Sequence, residues 1–480
     1  MRKKDILIFF TDQHTPNVIG AYGNEFVDTP NLNELAEDGT LFERAYTSCP
    51  LCVPARMSFL TGQLPSKLNI FNNEETLYED QATFLHSLAI EGYETVLCGR
   101  MHFKGANQRH GFTKRIMGDI TSLYWGTGGK NRKDFGPFIG TTSMKGCLNV
   151  IGGGNSPVLE YDRAVIEAAV NYLKEEHDKP QCIVVGTYAP HFSYVSPEKE
   201  YCKYKDILPL PITWNTKTSS KHRAFNHMEK DIALDELKGI RAAYYGMVEN
   251  LDRQIGEVRS AWKKYLENNK RQGVFIYMSD HGDQIGERNL FGKQTFYEDS
   301  ARIPLIIEGD GINRGDVKKG AVSIMDIAPT VIEIANAYPL PETDGRSLLN
   351  ELTNNMDYIN RNVISEHILS ENKNTNYVGR MIYENDYKYI HFYGYDDEDL
   401  MFNIKENPME DKNIIKDNSE KAKDLKEKLI KDWKPKKILD RHIKRCKSHG
   451  ILKKYGQALM PEEEERFKVT KEARILPSVK

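Results

Sequence analysis

Short apolar segments alternate with amphipathic segments along most of the chain, and this alternation constrains the fold more than any other feature. The apolar segments are almost continuously hydrophobic, as parallel strands buried on both faces are. The segments between them repeat apolar residues every three or four positions, which is typical of helices that cover a sheet. This order predicts an α/β fold with a large, mostly parallel or mixed central sheet flanked by helices. The predicted strands are 6–10, 94–98, 182–188, 274–278 and 304–307, and the predicted helices are 31–38, 81–91, 161–176, 237–268 and 325–337.

The composition of the chain changes near residue 350, and we place a domain boundary there. Residues 1–355 are predicted to form the large α/β domain. Residues 356–480 are predicted to form a smaller α+β subdomain that ends in a charged tail, first basic and then acidic. Two polar insertions, 126–154 and 197–231, are predicted to be surface loops close to the functional site. Within the subdomain, short strands are predicted at 378–383 and 387–392, and a helix at 419–431.

The charge balance excludes several classes of partner. The 480 residues include 66 Lys and Arg against 69 Asp and Glu, so the formal net charge of −3 gives no long-range attraction for nucleic acid. No stretch approaches the ~20 apolar residues of a membrane-spanning helix, and the run 6–10 is too short for a signal peptide. The seven cysteines are odd in number and scattered, which suits a reducing compartment. We therefore expect a cytoplasmic protein that binds neither nucleic acid nor membrane.

Polar residues follow three of the predicted strands at the point where each strand ends. Asp12 and Gln13 follow the first strand, His191 follows the strand at 182–188, and Asp280 and His281 follow the strand at 274–278. In an α/β sheet, ligands bind beyond the carboxyl ends of the strands, so these side chains are expected to converge. Carboxylate and amide oxygens are ligands that suit Ca²⁺ or Mg²⁺. The sequence thus predicts a divalent metal site at this edge.

Cys52 begins the most informative segment of the chain. Residues 51–62 read Leu-Cys-Val-Pro-Ala-Arg-Met-Ser-Phe-Leu-Thr-Gly. A guanidinium at Arg56 beside the thiol favours the thiolate, so the residues alone predict a cysteine nucleophile of lowered pKa. A buried structural cysteine is one alternative, and a zinc or dithiol pair formed with Cys49 is another. The segment resembles the sulfatase signature, Cys-x-Pro-x-Arg followed by Leu-Thr-Gly.

The resemblance to sulfatases extends from Ile6 to about Pro408. Gly99-Arg-Met-His-Phe and Pro50-Leu-Cys look most like choline sulfatases, a cytoplasmic subgroup, whereas the chain beyond about Ile430 shows no convincing match to that subgroup. The resemblance implies the alkaline-phosphatase-like sandwich fold. The other blocks in sulfatase order are 31–39, 279–283 with 286–288, 292–293 and 326–330.

The resemblance also implies the cofactors. A separate enzyme, a formylglycine-generating maturase, would oxidise Cys52 to formylglycine (3-oxoalanine). One divalent metal ion, with Ca²⁺ favoured and Mg²⁺ or Mn²⁺ as alternatives, would be held by Asp12, Gln13, Asp280, His281 and position 52. His281 is expected either to bind the metal or to contact sulfate, because a nitrogen ligand is softer than Ca²⁺ prefers.

Catalytic roles follow from the same resemblance. Arg56 is expected to hydrogen-bond the formylglycine hydroxyl. Arg100 stands where the family usually has Lys, so a planar guanidinium with several N–H donors replaces a single ammonium group. One hydroxyl of the hydrated formylglycine would attack sulfur. His191, together with Lys293, would protonate the departing alcohol, and His102 would deprotonate the second hydroxyl so that sulfate leaves. Arg100, Lys293 and the metal would offset charge on the sulfuryl oxygens.

The expected reaction is hydrolysis of a sulfate ester to an alcohol and inorganic sulfate, on a small organosulfate or a sulfated sugar. Asn73 and Trp125 are candidate substrate-binding residues, and an aromatic enclosure would suit the choline cation. A phosphonate or phosphate ester hydrolase on the same scaffold is one alternative function, and a non-catalytic binding protein is another. The charged tail could serve self-association, so a homo-oligomer is among the expected partners.

Overall fold

The structure, a computed structural model, describes residues 3–128, 148–216, 220–354, 361–372, 375–470 and 473. Most of the strands form one large central sheet, and the last four form a separate sheet. The strands are β1 (Asp5–Asp12), β2 (Thr40–Tyr46), β3 (Glu94–Gly99), β4 (Lys114–Met117), β5 (Ile151–Gly153), β6 (Gln181–Pro190), β7 (Tyr194–Ser196), β8 (Gly273–Ser279), β9 (Arg302–Ile303), β10 (Leu305–Gly309), β11 (Asp316–Ser323), β12 (Val363–Ser370), β13 (Asn376–Glu384), β14 (Tyr387–Phe392) and β15 (Leu400–Asn403).

The central sheet has nine strands in the order β11-β2-β10-β8-β1-β6-β3-β4, with β9 paired to β2. The pairs β1–β6, β1–β8, β3–β6, β3–β4 and β2–β11 are parallel, whereas β10 runs antiparallel to both neighbours. The predicted mostly parallel or mixed sheet is therefore confirmed, and all five predicted strands lie in it. Sequence patterns missed the other four strands of this sheet, β2, β4, β9 and β11.

Helices cover both faces of the central sheet. Ile6, Ile8 and Phe10 of β1 face one layer, whereas Leu7 and Phe9 face the other. The side chains alternate because successive residues of a strand point to opposite faces. Every predicted helix is present, with one or both ends shifted by a few residues. The helices are α1 (Pro30–Asp38), α2 (Cys52–Thr61), α3 (Pro65–Leu68), α4 (Phe84–Ile90), α5 (Pro157–Tyr172), α6 (Glu198–Tyr204), α7 (Leu234–Asn268), α8 (Glu298–Ala301), α9 (Ile327–Ala335), α10 (Leu349–Thr353), α11 (Ser419–Ile430) and α12 (Pro435–Leu459).

The small second sheet, β12-β13-β14-β15, is antiparallel throughout, and α11 packs against it. This confirms the predicted C-terminal α+β unit. The description of the following segment as a charged tail is incomplete, because residues 435–459 form the 25-residue helix α12. The apolar spacing of α12 is weak, since much of its surface is exposed and basic, and its sequence therefore did not indicate a helix.

Other parts of the predicted organisation have different outcomes. The insertion 197–231 contains α6 and is only partly a loop. Residues 129–147, most of the insertion 126–154, lie outside the described residues, as does the predicted boundary between residues 355 and 356. None of the helices in the described ranges combines the length and hydropathy that a membrane span needs. The cytoplasmic location stays a prediction.

Candidate active site

The register of the central sheet brings three separate segments to one edge. Asp12 at the end of β1 lies opposite Pro190 of β6, and Thr11 lies opposite Ser279 of β8. The next residues along these strands, His191 and Asp280, therefore leave the sheet beside Asp12. This adjacency is the one predicted from the three polar strand ends.

Cys52 is the first residue of α2, and all ten residues of this helix are buried. Its Sγ lies 3.2 Å from Lys293 Nζ and 3.3 Å from His281 Nε2. Asp12 Oδ1 and Asn73 Nδ2 each lie 3.7 Å from the same sulfur. Four of the residues predicted for the site thus surround the sulfur atom.

Two buried arginines hold the two carboxylates in place. Arg56 donates from Nε to Asp280 Oδ2 (2.8 Å) and from NH2 to Asp12 Oδ2 (3.2 Å). Arg100 donates from Nε to Asp12 Oδ2 (2.6 Å). Burial disfavours the charged form of Asp12, but nearby positive charge, Arg100 foremost, outweighs burial and holds its pKa well below the ordinary value. Asp12 is therefore ionised at neutral pH.

The site fits a divalent cation on the chemistry of its donors. One ligand atom from each of Asp12, Cys52, Asp280 and His281 lies within 4.8 Å of the other three, and all four residues are buried. The Oδ2 atom of each carboxylate accepts hydrogen bonds from arginine. The Oδ1 atoms lie near His281 Nε2, at 3.7 Å for Asp12 and 3.5 Å for Asp280. Two carboxylate oxygens, one imidazole nitrogen and the atom at position 52 form a suitable donor set.

Gln13, the other predicted ligand, makes two side-chain hydrogen bonds. Its Oε1 accepts from Lys293 Nζ (2.8 Å), and its Nε2 donates to Asp283 Oδ2 (2.6 Å). The amide oxygen thus lies next to the ammonium group that contacts the Cys52 sulfur. The role of Gln13 as a metal ligand stays a prediction.

Arg100 fixes the tautomer of His102. Its NH2 donates to His102 Nδ1 (2.8 Å), and its NH1 lies 3.2 Å from Asp119 Oδ1. A guanidinium only donates, so Nδ1 is the acceptor and the proton of the neutral ring sits on Nε2. Burial and then the charge of Arg100 hold the pKa of His102 well below its ordinary value. The neutral ring is therefore a donor at Nε2.

His191 has the opposite tautomer. Its Nδ1 donates to the carbonyl oxygen of Phe192 (2.8 Å), since a carbonyl can only accept. The Nε2 of the neutral ring is therefore the atom that can take up a proton. Burial and then the charge of Lys293 hold the pKa of His191 well below its ordinary value. The two histidines thus present chemically different nitrogens.

The predicted low pKa of the Cys52 thiol is wrong. Burial, assisted by the charge of Asp12, raises the pKa of Cys52 to about 11 despite Lys293. Arg56 does not deliver the expected effect because its donors are engaged by Asp12 and Asp280. Cys49 lies outside the metal-type cluster, and its sulfur contacts His367 Nδ1 at 3.5 Å instead. No group of potential metal ligands among the described residues includes Cys49, and Cys49 and Cys52 are both free cysteines, so the zinc or dithiol pair is not supported.

The two candidate substrate-binding residues lie on neighbouring segments. Asn73 accepts from the backbone N–H of Val53 (3.0 Å) and reaches the Cys52 sulfur. Trp125 donates from Nε1 to the carbonyl oxygen of Glu74 (2.7 Å). Its ring stacks on His449 of α12, with centroids 5.9 Å apart. Asn73 contacts position 52 directly, whereas Trp125 contacts Glu74, the neighbour of Asn73 in the same segment.

Sequence reasoning missed three buried carboxylates that hold the site together. Asp119 accepts from Arg100 and from the backbone N–H of His102, and Asp283 accepts from Gln13 and from the backbone N–H of Gly292. Asp162 accepts from the backbone N–H groups just before Pro190, and burial raises its pKa to about 7. Asp283 stands in a motif that was recognised, whereas Asp119 and Asp162 stand in none.

Comparisons with protein families agree with this geometry. Residues 4–337 match the family model described as Sulfatase, and residues 286–435 match the model described as the C-terminal part of N-sulphoglucosamine sulphohydrolase. A choline-sulfatase of Rhizobium meliloti is 32% identical over 370 residues, which cover 72% of this chain and 71% of the relative. An arylsulfatase of Clostridium perfringens is 28% identical over 467 residues, covering 90% of this chain and 94% of the relative.

Solved structures show the same fold. One, described as a complex with its substrate D-glucosamine-2-N,6-O-disulfate, has a TM-score of 0.74 at 21% identity and covers 90% of this chain and 99% of its own. A phosphonate monoester hydrolase of Agrobacterium radiobacter has a TM-score of 0.70 at 20% identity, with coverage of 92% and 96%. Both are similar to this chain in overall architecture.

Proposed function

Because this chain belongs to the sulfatase family and hydrolyses sulfate esters, we propose that Cys52, once oxidised to formylglycine, is its nucleophile and that its substrate is a sulfated sugar. The observation that carries the first part is the buried cluster of Asp12, Cys52, Asp280 and His281 at the carboxyl edge of the sheet. A raised thiol pKa makes unmodified Cys52 a poor nucleophile at neutral pH, which is consistent with a need for modification. A formylglycine-generating maturase is the implied partner.

The same four positions, with Gln13, would hold one divalent cation. A bound cation would withdraw charge from the sulfuryl oxygens and acidify the hydroxyl at position 52. We propose Ca²⁺, because carboxylate oxygens and a hydroxyl outnumber the single nitrogen of His281. Arg56 binds Oδ2 of both Asp12 and Asp280 and thereby aligns the two carboxylates that would bind the cation.

Position 52 lies at the buried start of α2, next to Lys293 and Asn73. Hydrated formylglycine there would supply two hydroxyls, one to attack sulfur and one to release sulfate. Lys293 would bind a sulfuryl oxygen through the ammonium that now contacts the sulfur. Asn73 would donate to the same group from Nδ2.

The two histidines are proposed to serve different proton steps. His191 would take up at Nε2 the proton that the attacking hydroxyl loses and pass it to the departing alcohol, since its Nδ1 is committed to the carbonyl of Phe192. His102 would instead donate from Nε2 to an oxygen at position 52 or on the sulfate, because Arg100 occupies its Nδ1. Since a donor at Nε2 cannot abstract a proton, the free Nε2 of His191 would also take the proton of the second hydroxyl when sulfate leaves.

A sugar is favoured over choline as the alcohol by the surroundings of Trp125. A cation–π enclosure needs open aromatic faces, but the Trp125 ring stacks on His449 and its Nε1 is bound to Glu74. Lys293 Nζ, 3.2 Å from the sulfur of Cys52, would also repel a trimethylammonium group close to the reacting position.

A panel of sulfate esters tests this proposal. Release of sulfate is measured from choline sulfate, 4-nitrophenyl sulfate, and glucosamine sulfated at N or at O6, using protein co-produced with a maturase. We expect the highest kcat/KM on a sugar sulfate, whereas a preference for choline sulfate would overturn the substrate assignment. A matched phosphonate ester preferred tenfold over the aryl sulfate would make the chain chiefly a phosphonate hydrolase.

The cofactors are tested separately. Peptide mass spectrometry should find position 52 lighter by the thiol-to-aldehyde difference, and an ordinary thiol in fully active protein would exclude the formylglycine role. Treatment with a chelator should remove activity, and Ca²⁺ should restore it better than Mg²⁺ or Mn²⁺. Activity that survives exhaustive metal removal, verified by elemental analysis, would exclude the metal role.

A further inference from the structure

One side of helix α12 is bonded to residues 69–76, the segment that carries Asn73. Arg445 donates to the carbonyl oxygens of Asn69 (2.6 Å) and Thr76 (2.7 Å), at the two ends of this segment. Helix α12 begins at the residue where the C-terminal family match ends, so nearly all of it lies outside both family matches. These contacts therefore involve a part of the chain that the family models do not describe.

Asn73 is held at the reacting position through both ends of its amide. Its Oδ1 accepts from the backbone N–H of Val53 (3.0 Å), one of the N–H groups in the first turn of α2 that have no partner within the helix. Its Nδ2 lies 3.7 Å from the sulfur of Cys52. A donor at a reacting position is effective only when its backbone is fixed, because a displacement of about 1 Å can cost most of its contribution.

Glu75 fixes the backbone on both sides of Asn73. The Glu75 side chain is 1% exposed. Its Oε2 accepts from the backbone N–H groups of Phe71 and Asn72 (3.2 Å for Asn72), and its Oε1 accepts from Asn72 Nδ2 (3.3 Å). Residues 71–75 are thus folded around one buried carboxylate, with Asn73 in the middle of the turn. A buried carboxylate is stable only if it also has a partner of opposite charge.

His442 of α12 supplies the positive partner of Glu75. The His442 side chain is 5% exposed, and its Nδ1 lies 3.6 Å from Glu75 Oε1. At the other end of the ring, Nε2 lies 3.5 Å from the sulfur of Cys446. Burial opposes a charge on the ring, but the contacts with Cys446 and Glu75 outweigh burial and raise the pKa of His442 to about 9. The ring is therefore an imidazolium at neutral pH, and it pairs with Glu75 in a buried site.

We propose that Glu75 and His442 are positioning residues for sulfate ester hydrolysis, because their buried ion pair sets the turn that places the Asn73 amide at position 52. The inference rests on the proposed role of Asn73 as a donor to the sulfuryl group. In the described part of the chain, neither Glu75 nor His442 makes a hydrogen bond or ion pair with Cys52, so both act through Asn73. A pair that served stability alone would leave the reaction of the folded protein unchanged.

A double-mutant cycle on 4-nitrophenyl sulfate tests this role without depending on the sugar. Asn73→Ala should lower kcat/KM about 10²-fold, as the loss of one donor to a reacting group does in other enzymes. Glu75→Gln keeps an oxygen for the turn but loses the charge that pairs with His442, and His442→Asn removes the other half of the pair. Each of these two changes should lower kcat/KM about tenfold. In the Asn73→Ala background each should cost less than about twofold, because the group through which it acts is already absent.

His391 and Asp399 form the matched control pair. They are also a buried histidine and carboxylate, 2.7 Å apart, and among the described residues neither is bonded to the segment 69–76. His391→Asn should lower the melting temperature and leave kcat/KM within about twofold of the parent. Thermal unfolding establishes that each variant is folded. Glu75→Gln and His442→Asn complete the cycle independently, so the failure of one to fold leaves the other as the test.

The cycle separates this inference from the proposed function. Equal fold losses with and without Asn73 would overturn the inference and leave the role of Asn73 standing, as would a loss in His391→Asn as large as that in His442→Asn. An Asn73→Ala protein as active as the parent would refute the proposed role of Asn73, and the inference with it. Losses that vanish in the Asn73→Ala background support the inference, because a purely structural pair would act equally in both backgrounds.

Discussion

Positive charge is compensated in the floor of the active site, which consists of Asp12, Cys52, Arg56, Arg100 and Asp280, but not on the exposed side of helix α12. At the floor, Arg56 and Arg100 are almost fully buried, and each binds two carboxylates at fixed distances. On α12, the side chains of Lys436, Lys437, Arg441 and Lys444 are exposed and have no carboxylate partner among the described residues. A buried charge needs a partner of opposite charge, and this pairing fixes the position of the side chain. An exposed charge is solvated by water and needs no such partner. The following predictions test this difference, beginning with the floor.

The largest expected effect is the loss of the nucleophile. Cys52→Ala should lower kcat by at least about 10⁴-fold on every sulfate ester, because no other group at the floor can replace it. Cys49→Ala is the matched control, since Cys49 is equally buried but contacts His367 away from the donor cluster. Circular dichroism should show both variants folded. Turnover that persists in the first variant would place the nucleophile elsewhere.

The next effect concerns the fork of Arg56. Arg56→Lys keeps the charge but cannot bridge Asp12 and Asp280, so kcat should fall about 10²-fold or more and the free energy of unfolding by about 3 kcal/mol. Arg259→Lys is the control, because Arg259 bridges Glu308 and Asp38 in a buried site outside the floor. That control should lose stability and keep kcat. Equal kcat losses would mean that Arg56 acts only through stability.

The floor was largely predictable from sequence, and α12 was not, for the same physical reason. Asp12, Asp280 and Cys52 stand at strand ends and a helix start whose local patterns are strong, and buried chemistry at such places leaves a recognisable motif. The groups that position them, such as Asp119 in an irregular segment and Asp162 on α5, are single acidic residues at places where many other roles are equally common. The thiol pKa was mispredicted because the sequence shows the neighbouring Arg56 but neither the burial of Cys52 nor the carboxylate of Asp12 beside it.

The loss of kcat/KM on replacing His191 should increase with the basicity of the leaving alcohol. With His191→Asn, kcat/KM should fall about 10²-fold or more on a sugar sulfate, whose alcohol needs a proton in order to leave. On 4-nitrophenyl sulfate the loss should stay below about tenfold, since nitrophenolate leaves unprotonated. His177→Asn, a partly exposed position beside Tyr172, is the control. Equal losses on both substrates would assign His191 to binding rather than proton transfer.

The smallest effect concerns how the C-terminal part supports the floor from outside. Glu463, after α12, accepts from the backbone N–H groups of Leu123 (2.6 Å) and Tyr124 (3.1 Å) and pairs with Arg466. Glu463→Gln removes the charge from these bonds, so the free energy of unfolding should fall by about 1–3 kcal/mol. The KM for a sugar sulfate should rise a few-fold because the loop carrying Trp125 loosens, whereas kcat should stay unchanged.

The exposed neighbour Glu464 provides the control for this last change, since Glu464→Gln removes the same charge without touching the loop. A fall in kcat comparable to that of Arg56→Lys would show that the C-terminal segment shapes the floor itself. That result would mean that the ion pairs of the floor do not hold the reacting groups by themselves, and that the C-terminal segment affects catalysis as well as substrate binding. An effect confined to KM and stability would place the influence of the segment on substrate capture, because the buried ion pairs of Asp12 and Asp280 hold the reacting groups without it.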